Sequence, residues 1–223
     1  MSLFNDTELF STGAPRTEAF DAPDAVLVLH QAFFGREEAD FYYQHLLQHT
    51  SWEQRAITVY DKTHLTPRLT AWYGDRDYSF SGHTLHPYPW TPDLLRIKER
   101  VEKQSATPFN SVLLNLYRDG RDSVGWHRDN EKEFGINPAI GSVSFGETRP
   151  FRLRHKYRKD LPPIEIPLMH GSFLLMAGAT QHYWEHAIPK TAKPVRPRIN
   201  LTFRLIYGHV DTMPDTHADT LLR

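Results

Sequence analysis

Arg198-Ile199-Asn200-Leu201-Thr202-Phe203-Arg204 alternates polar and apolar residues without a break. On a β-strand, successive side chains point to opposite faces. Ile199, Leu201, Phe203 and the following Leu205 therefore share one face, and Arg198, Asn200, Thr202 and Arg204 share the other. The apolar set is a core face. The polar set has two readings. One is the wet face of an amphipathic strand, since antiparallel sheets commonly have one solvated side. The other is a row that points inward, where two arginines are costly unless they meet an anion. An arginine fork matches a carboxylate bidentately, so the inward reading predicts a carboxylate ligand.

The same alternation occurs upstream. Asn115 and Tyr117 share a face, with Val112, Leu114 and Leu116 opposite. An amide and a phenol can orient carboxylate oxygens. A little further on lies Gly125-Trp126-His127-Arg128-Asp129. On a strand, His127 and Asp129 present an imidazole and a carboxylate to one point. Two histidines and one carboxylate form the facial set of non-haem Fe(II) oxygenases, which leaves positions for co-substrate and O₂, whereas a structural zinc site wants four protein ligands. A His-x-Asp triplet is short and the chain has 13 histidines, so an ordinary surface turn explains a lone match equally well. His182 and His186 compete as third ligand. Their spacing of four suits a helical pair, but Trp184 and Pro189 argue against a stable helix, and either residue fits a hydrogen-bonded core histidine. The residue pattern leaves that choice open.

The 223 residues carry a formal net charge of −1, with 39% apolar and 24% charged residues. That is ordinary for a soluble globular chain and excludes a bulk polycation, so any nucleic-acid contact must use a local basic surface. Cysteine is absent, which excludes disulfides, thiolate zinc sites and cysteine nucleophiles. No secretory signal and no membrane-spanning window is legible. The expectation is an intracellular, cytoplasmic protein, monomeric, with no membrane partner.

Residues 1–24 read as an N-terminal arm. Val26–Leu29 reads as a strand, Arg36–Thr50 as an amphipathic helix and Trp52–Tyr60 as a strand. From Asp61 to Pro92 the periodicity fades into turn formers and aromatics, a long irregular segment of the kind that is more often functional than idle. Thr91-Pro92-Asp93 starts a helix with an N-cap, a proline at the first position and an acid in the first turn. Phe109–Tyr117, Ile140–Phe145, Phe151–His155, Ile164–Leu168, Ser172–Met176 and Ile199–Tyr207 read as strands separated by turn signals, so the core is mainly β, a barrel or sandwich with helices outside. The run from Arg149 to Lys159 holds six Lys or Arg residues and no acid. It reads as a phosphate track or as a plain solvated hairpin.

Taken together, Asn115-Leu-Tyr117, His127-Arg-Asp129, His186-Ala-Ile-Pro189 and Pro197–Arg204 resemble the AlkB family of Fe(II)- and 2-oxoglutarate-dependent nucleic-acid demethylases, in its DNA-repair branch. Pro67-Arg68, Tyr73-Gly-Asp75, Tyr78–Gly82, Ser142–Gly146 and Arg154-His-Lys156 extend the match over roughly residues 52–207. The resemblance implies a double-stranded β-helix (jelly-roll) core over 109–209, flanking helices and an N-terminal nucleotide-recognition lid within 25–108, and a C-terminal tail over 210–223. It selects His186 as the third ligand. It implies that Arg198 pairs with the distal carboxylate of 2-oxoglutarate, helped by Tyr117, with Asn115, Asn200, Thr202 and Arg204 lining the rest. Tyr78, Phe80 and Ser81 match lid positions that touch a flipped base, and Tyr60 a position that fills the gap the base leaves. Arg68, Arg152, Arg154, Lys156 and Arg158 are the candidate contacts to the nucleic-acid backbone. One position departs. Close relatives carry an acid directly after the metal aspartate, where this chain has Asn130 followed by Glu131. An amide donates and accepts while an ionised carboxylate only accepts, so the resemblance leaves base preference open.

The implied activity is oxidative demethylation of N-alkylated bases such as 1-methyladenine and 3-methylcytosine in DNA, or in RNA, with release of formaldehyde, succinate and CO₂. The target atom is inaccessible within a base stack, so the base must be flipped or already unpaired. Two alternatives stand beside it. The first is the same iron site acting on a protein side chain or small molecule. The second is a non-catalytic jelly-roll binding module, which has no need of an intact Asn115, Tyr117, Arg198 and Arg204 set.

Overall fold

The computed structural model describes residues 10–59, 62–80 and 83–207. Two short strands open the chain, β1 (Arg16–Ala19) and β2 (Val26–Gln31), followed by helix α1 (Arg36–His49). Two hairpins and a longer strand come next: β3 (Ala56–Val59) with β4 (Lys62–Leu65), then β5 (Leu69–Gly74), then β6 (Tyr78–Phe80) with β7 (His83–Leu85). Helix α2 (Pro92–Ser105) leads into β8 (Ser111–Tyr117), β9 (Val124–His127), β10 (Ile140–Gly146), β11 (Arg149–His155), β12 (Ile164–Leu168) and β13 (Ser172–Ala177). A four-residue helix α3 (Thr180–Tyr183), β14 (Trp184–Ile188) and β15 (Arg198–Arg204) complete the set.

The strands form a seven-stranded sheet in the order β1-β2-β13-β10-β15-β8-β5 and a four-stranded sheet in the order β12-β11-β14-β9, with every pairing antiparallel. This is the jelly-roll expected from the sequence. The larger sheet has two buried faces. On one, Val112, Leu114, Val143, Phe145, Ile199, Leu201 and Phe203 pack against the helices through Ala39, Tyr42, Leu46, Leu94, Ile97 and Val101. The other faces the smaller sheet, and Leu27, Leu29, Ile140, Leu174 and Met176 meet Phe151, Leu153, Ile166, Trp184 and Ile188 there. Helix α2 begins as its sequence predicts. Thr91 Oγ1 accepts from the Leu94 N–H (3.3 Å), Pro92 occupies the first turn, and Leu94, Ile97 and Val101 are buried.

The structure corrects several sequence expectations. The segment 61–92 contains four strands where irregular chain was expected. Of these, β5 is buried from Thr70 to Gly74, so it lacks the polar alternation by which a strand is read. The expected strand Trp52–Tyr60 shortens to β3. β1 falls inside the expected arm and extends the edge of the larger sheet beside β2. β9 and β14 were not foreseen. The tail 210–223 lies outside the described residues. Gly146 ends β10 at φ +88°, where an added Cβ would sit 2.5 Å from the Pro197 carbonyl. Only glycine fits that turn. Among the described residues no helix is long and apolar enough to cross a membrane.

Candidate metal and co-substrate site

β15 is buried at all seven positions, which removes the reading of its polar row as a solvated face. Ile199, Leu201 and Phe203 go to the helix side and Arg198, Asn200, Thr202 and Arg204 go between the sheets. Strand register then builds a buried polar floor. Tyr117 lies opposite Arg198, and Asn115 opposite Asn200 on one side. On the other side Ser144 lies opposite Asn200 and Ser142 opposite Thr202. Asn200 Nδ2 donates to Ser142 Oγ (2.9 Å) and to the Val143 carbonyl (3.1 Å), and Thr202 Oγ1 donates to Asn200 Oδ1 (3.0 Å). The sequence reading gave Ser142 and Ser144 no role. Their signal was the alternation Ser-Val-Ser-Phe at 142–145.

Arg198 is 1% exposed. Its Nη2 donates to Ser144 Oγ (2.9 Å), and its guanidinium carbon lies 5.3 Å from the Tyr117 ring centre. Its Nε and Nη1 are buried without a hydrogen-bond partner. Desolvation pulls its pKa down to about 10, so it is still a cation at neutral pH. A buried cation with an under-partnered guanidinium is an unbalanced cost, and a carboxylate in the adjoining cavity would remove it. That is the chemistry of a 2-oxoglutarate anchor.

At the cavity's other end, His186 of β14 and His127, the last residue of β9, are direct cross-strand partners. Their rings stand edge to face with centroids 4.3 Å apart. Asp129 lies two residues beyond the end of β9, in chain that belongs to no strand or helix. His186 Nε2 is 3.7 Å from Asp129 Oδ2, and the three residues offer ligand atoms within 4.8 Å of one another. No other such group occurs among the described residues. His127 Nδ1 donates to the Gly125 carbonyl (2.8 Å). A carbonyl cannot donate, so this bond fixes the tautomer and leaves the Nε2 lone pair for a metal. Burial, and then the neighbouring His127, push the His186 pKa down to about 3, which keeps that ring neutral. Burial alone would raise the Asp129 pKa, but the Arg204 guanidinium beside it holds it at about 2. Arg204 Nη2 donates to Asp129 Oδ1 at 2.7 Å. Two imidazoles and an ionised carboxylate are the donor set Fe(II) takes.

The two candidate third ligands part company here. His182 sits on α3 outside the cluster, with its ring on the Ile136 carbonyl and its own carbonyl accepting from Arg128 Nη1 (3.0 Å). Arg68, expected at the nucleic-acid backbone, instead lines the cavity and donates to Asn115 Oδ1 (2.8 Å). Leu113 and Met176, both unforeseen, complete the walls. Asn130 is exposed beside Asp129 and Glu131 is partly buried. Tyr60 and Ser81 lie outside the described residues. The backbone of Tyr78 and Phe80 forms β6.

The basic run on β11 divides. Arg149 is buried and donates to the carbonyls of Asp119 (3.2 Å), Asp122 (3.1 Å) and Pro189 (2.6 Å). Arg152, Arg154 and Arg158 pair with Glu165, Glu185 and Asp160. Lys156 stands 5.1 Å from the Tyr157 ring centre. The Arg152–Glu165 pair is exposed at both ends, and such a pair contributes roughly 0–1 kcal/mol.

The model of the 2OG-Fe(II) oxygenase superfamily matches residues 26–204. The alpha-ketoglutarate-dependent dioxygenase alkB homolog 3 of Mus musculus is 39% identical over 224 residues, covering 92% of this chain and 78% of that protein. The DNA oxidative demethylase ALKBH2 of Homo sapiens is 41% identical over 202 residues, covering 86% of this chain and 75% of that protein. A solved structure, that of OsALKBH1, superposes with a TM-score of 0.62 at 16% identity, over 85% of this chain and 100% of the other. At that identity the likeness speaks for the fold alone.

Proposed function

The chain belongs to the AlkB family within the 2OG-Fe(II) oxygenase superfamily, and from that premise we propose that it repairs N-alkylated bases such as 1-methyladenine and 3-methylcytosine in DNA. It is an Fe(II)- and 2-oxoglutarate-dependent dioxygenase, and its relatives' names fit oxidative demethylation. The observation that carries the reading is one cavity with an imidazole and carboxylate triad at one end and a buried, under-partnered arginine at the other.

In this reading His127 Nε2, His186 and the Asp129 carboxylate hold the iron. Arg198 takes the distal carboxylate of 2-oxoglutarate on its guanidinium, with Tyr117 against the same group. Arg204 keeps Asp129 ionised and aimed. Asn115, Asn200 and Thr202 form a hydrogen-bonded floor that holds the co-substrate in one register, and Leu113, Met176 and Phe151 keep water from the reacting centre. When bound, iron with 2-oxoglutarate and O₂ would supply the oxidation, with one oxygen atom going into succinate as CO₂ is lost and the other into the N-methyl C–H bond, giving a hemiaminal that loses formaldehyde. Tyr78 and Phe80 on β6, with Tyr60 and Ser81, are the residues assigned to the flipped base, and Asn130 and Glu131 read its edge. Arg152, Arg154, Lys156 and Arg158 face the strand's phosphates.

The test is turnover. Protein with Fe(II), 2-oxoglutarate and O₂ is incubated with oligonucleotides carrying 1-methyladenine or 3-methylcytosine, and formaldehyde and unmodified base are measured. Equal yields of both are expected, and both vanish in Asp129→Ala. Binding of 2-oxoglutarate with no release of formaldehyde from any methylated oligonucleotide would overturn the substrate assignment.

A further inference from the structure

Strand pairing fixes two of the three candidate ligands, because His127 and His186 are cross-strand neighbours. It does not fix Asp129, which lies past the end of β9. Its carboxylate is held by Arg204, but a side-chain contact alone leaves its backbone to wander. The backbone contact comes from Gln181 of α3, which is 0% exposed. Gln181 Oε1 accepts from the Asp129 N–H at 3.0 Å, and Gln181 Nε2 points to Met176 Sδ on the cavity wall, 3.7 Å away. The next residue adds a second link, since the His182 carbonyl accepts from Arg128 Nη1 and its ring meets the Ile136 carbonyl. Thr180 in turn ties α3 to the larger sheet by accepting from the Val26 N–H (2.9 Å). A buried amide costs free energy unless its groups are used, and this one is used on the residue beside the metal position.

We propose that Gln181 is a positioning residue that sets metal affinity by clasping the backbone of Asp129. The inference rests on the assignment of His127, Asp129 and His186 as the metal site. α3 thereby does for Asp129 what the β9–β14 register does for the two histidines. His182, the rival third ligand, belongs to the same clasp.

Gln181→Met keeps the side-chain length and removes the acceptor, and Gln181→Glu keeps an acceptor oxygen on the same stem. Three readouts are compared across the full-length parent and both variants: the thermal midpoint, the Mn(II) dissociation constant by titration with Mn(II) alone, and hydrogen exchange at the Asp129 amide in metal-free protein. Gln181→Met is expected to weaken Mn(II) binding by about 10-fold or more and to release the Asp129 amide. Gln181→Glu is expected to restore protection of that amide. A Gln181→Met variant whose folded fraction binds Mn(II) within about twofold of the parent would overturn the proposal, as would free exchange of the Asp129 amide in the parent. Should the parent itself bind no Mn(II), the metal assignment fails first, and that result is distinct from the other two.

Discussion

β15 and β11 each carry two arginines on one strand face, Arg198 with Arg204 and Arg152 with Arg154, and they do opposite things. On β15, Arg198 is 1% exposed and has no ion pair among the described residues, while Arg204 pairs with a candidate metal ligand. On β11, the Arg152 side chain is 49% exposed, and Arg152 and Arg154 lie directly opposite Glu165 and Glu185, with which they pair. The outer row is balanced by its own sheet. In the inner row Asp129 balances Arg204, and Arg198 is balanced only when an anion enters. Two arginines on one strand face therefore give a ligand site in one strand and a self-neutralised surface in the other, and burial decides between them.

The largest way to break that contrast is at Arg198. Arg198→Met should lower kcat/KM for 2-oxoglutarate by about 100-fold, the cost of removing one partner of a buried charge pair, while Arg154→Met leaves it nearly unchanged. Steady-state kinetics at varied 2-oxoglutarate checks this. The same variant sharpens the contrast through stability. In metal-free and ligand-free protein, Arg198→Met should stabilise by about 1 kcal/mol, because a buried cation with unused N–H groups is replaced by an apolar side chain. Urea unfolding measures it, and a clear destabilisation would show that the arginine is already satisfied.

Smaller effects belong to the outer row. Glu165→Gln with Glu185→Gln should free two arginines and tighten single-stranded DNA binding a few-fold at low salt, with the salt slope steeper by about one per arginine recruited. Fluorescence anisotropy across a salt series reads both quantities. Smallest of all, Arg152→Met or Arg154→Met should change unfolding free energy by less than about 1 kcal/mol, as exposed ion pairs do.

Much of this was legible in the sequence. The β15 row, the Asn115–Tyr117 pair and the α2 start follow from periodicity and capping, and the structure bears them out. The His-x-Asp spacing pointed to a cluster, and His127 and Asp129 do line one cavity, although β9 ends at His127 and Asp129 lies in irregular chain beyond it. Periodicity left His182 and His186 open, the family resemblance selected His186, and the β9–β14 register places it opposite His127. Arg149 looked like one more charge in a basic run until its three carbonyl partners placed it inside. β5 and β14 escaped notice because buried strands lose alternation, and β9 because it is four residues long with a glycine inside it.

The central claim is that the inner row is a dicarboxylate site joined to a metal triad. Calorimetric titration of 2-oxoglutarate into Mn(II)-loaded and metal-free protein tests it most directly. One equivalent should bind the loaded parent, with binding weaker by about 10-fold or more when the metal is absent and by about 100-fold in Arg198→Met. Equal affinity in the parent and Arg198→Met, with or without Mn(II), would contradict the account.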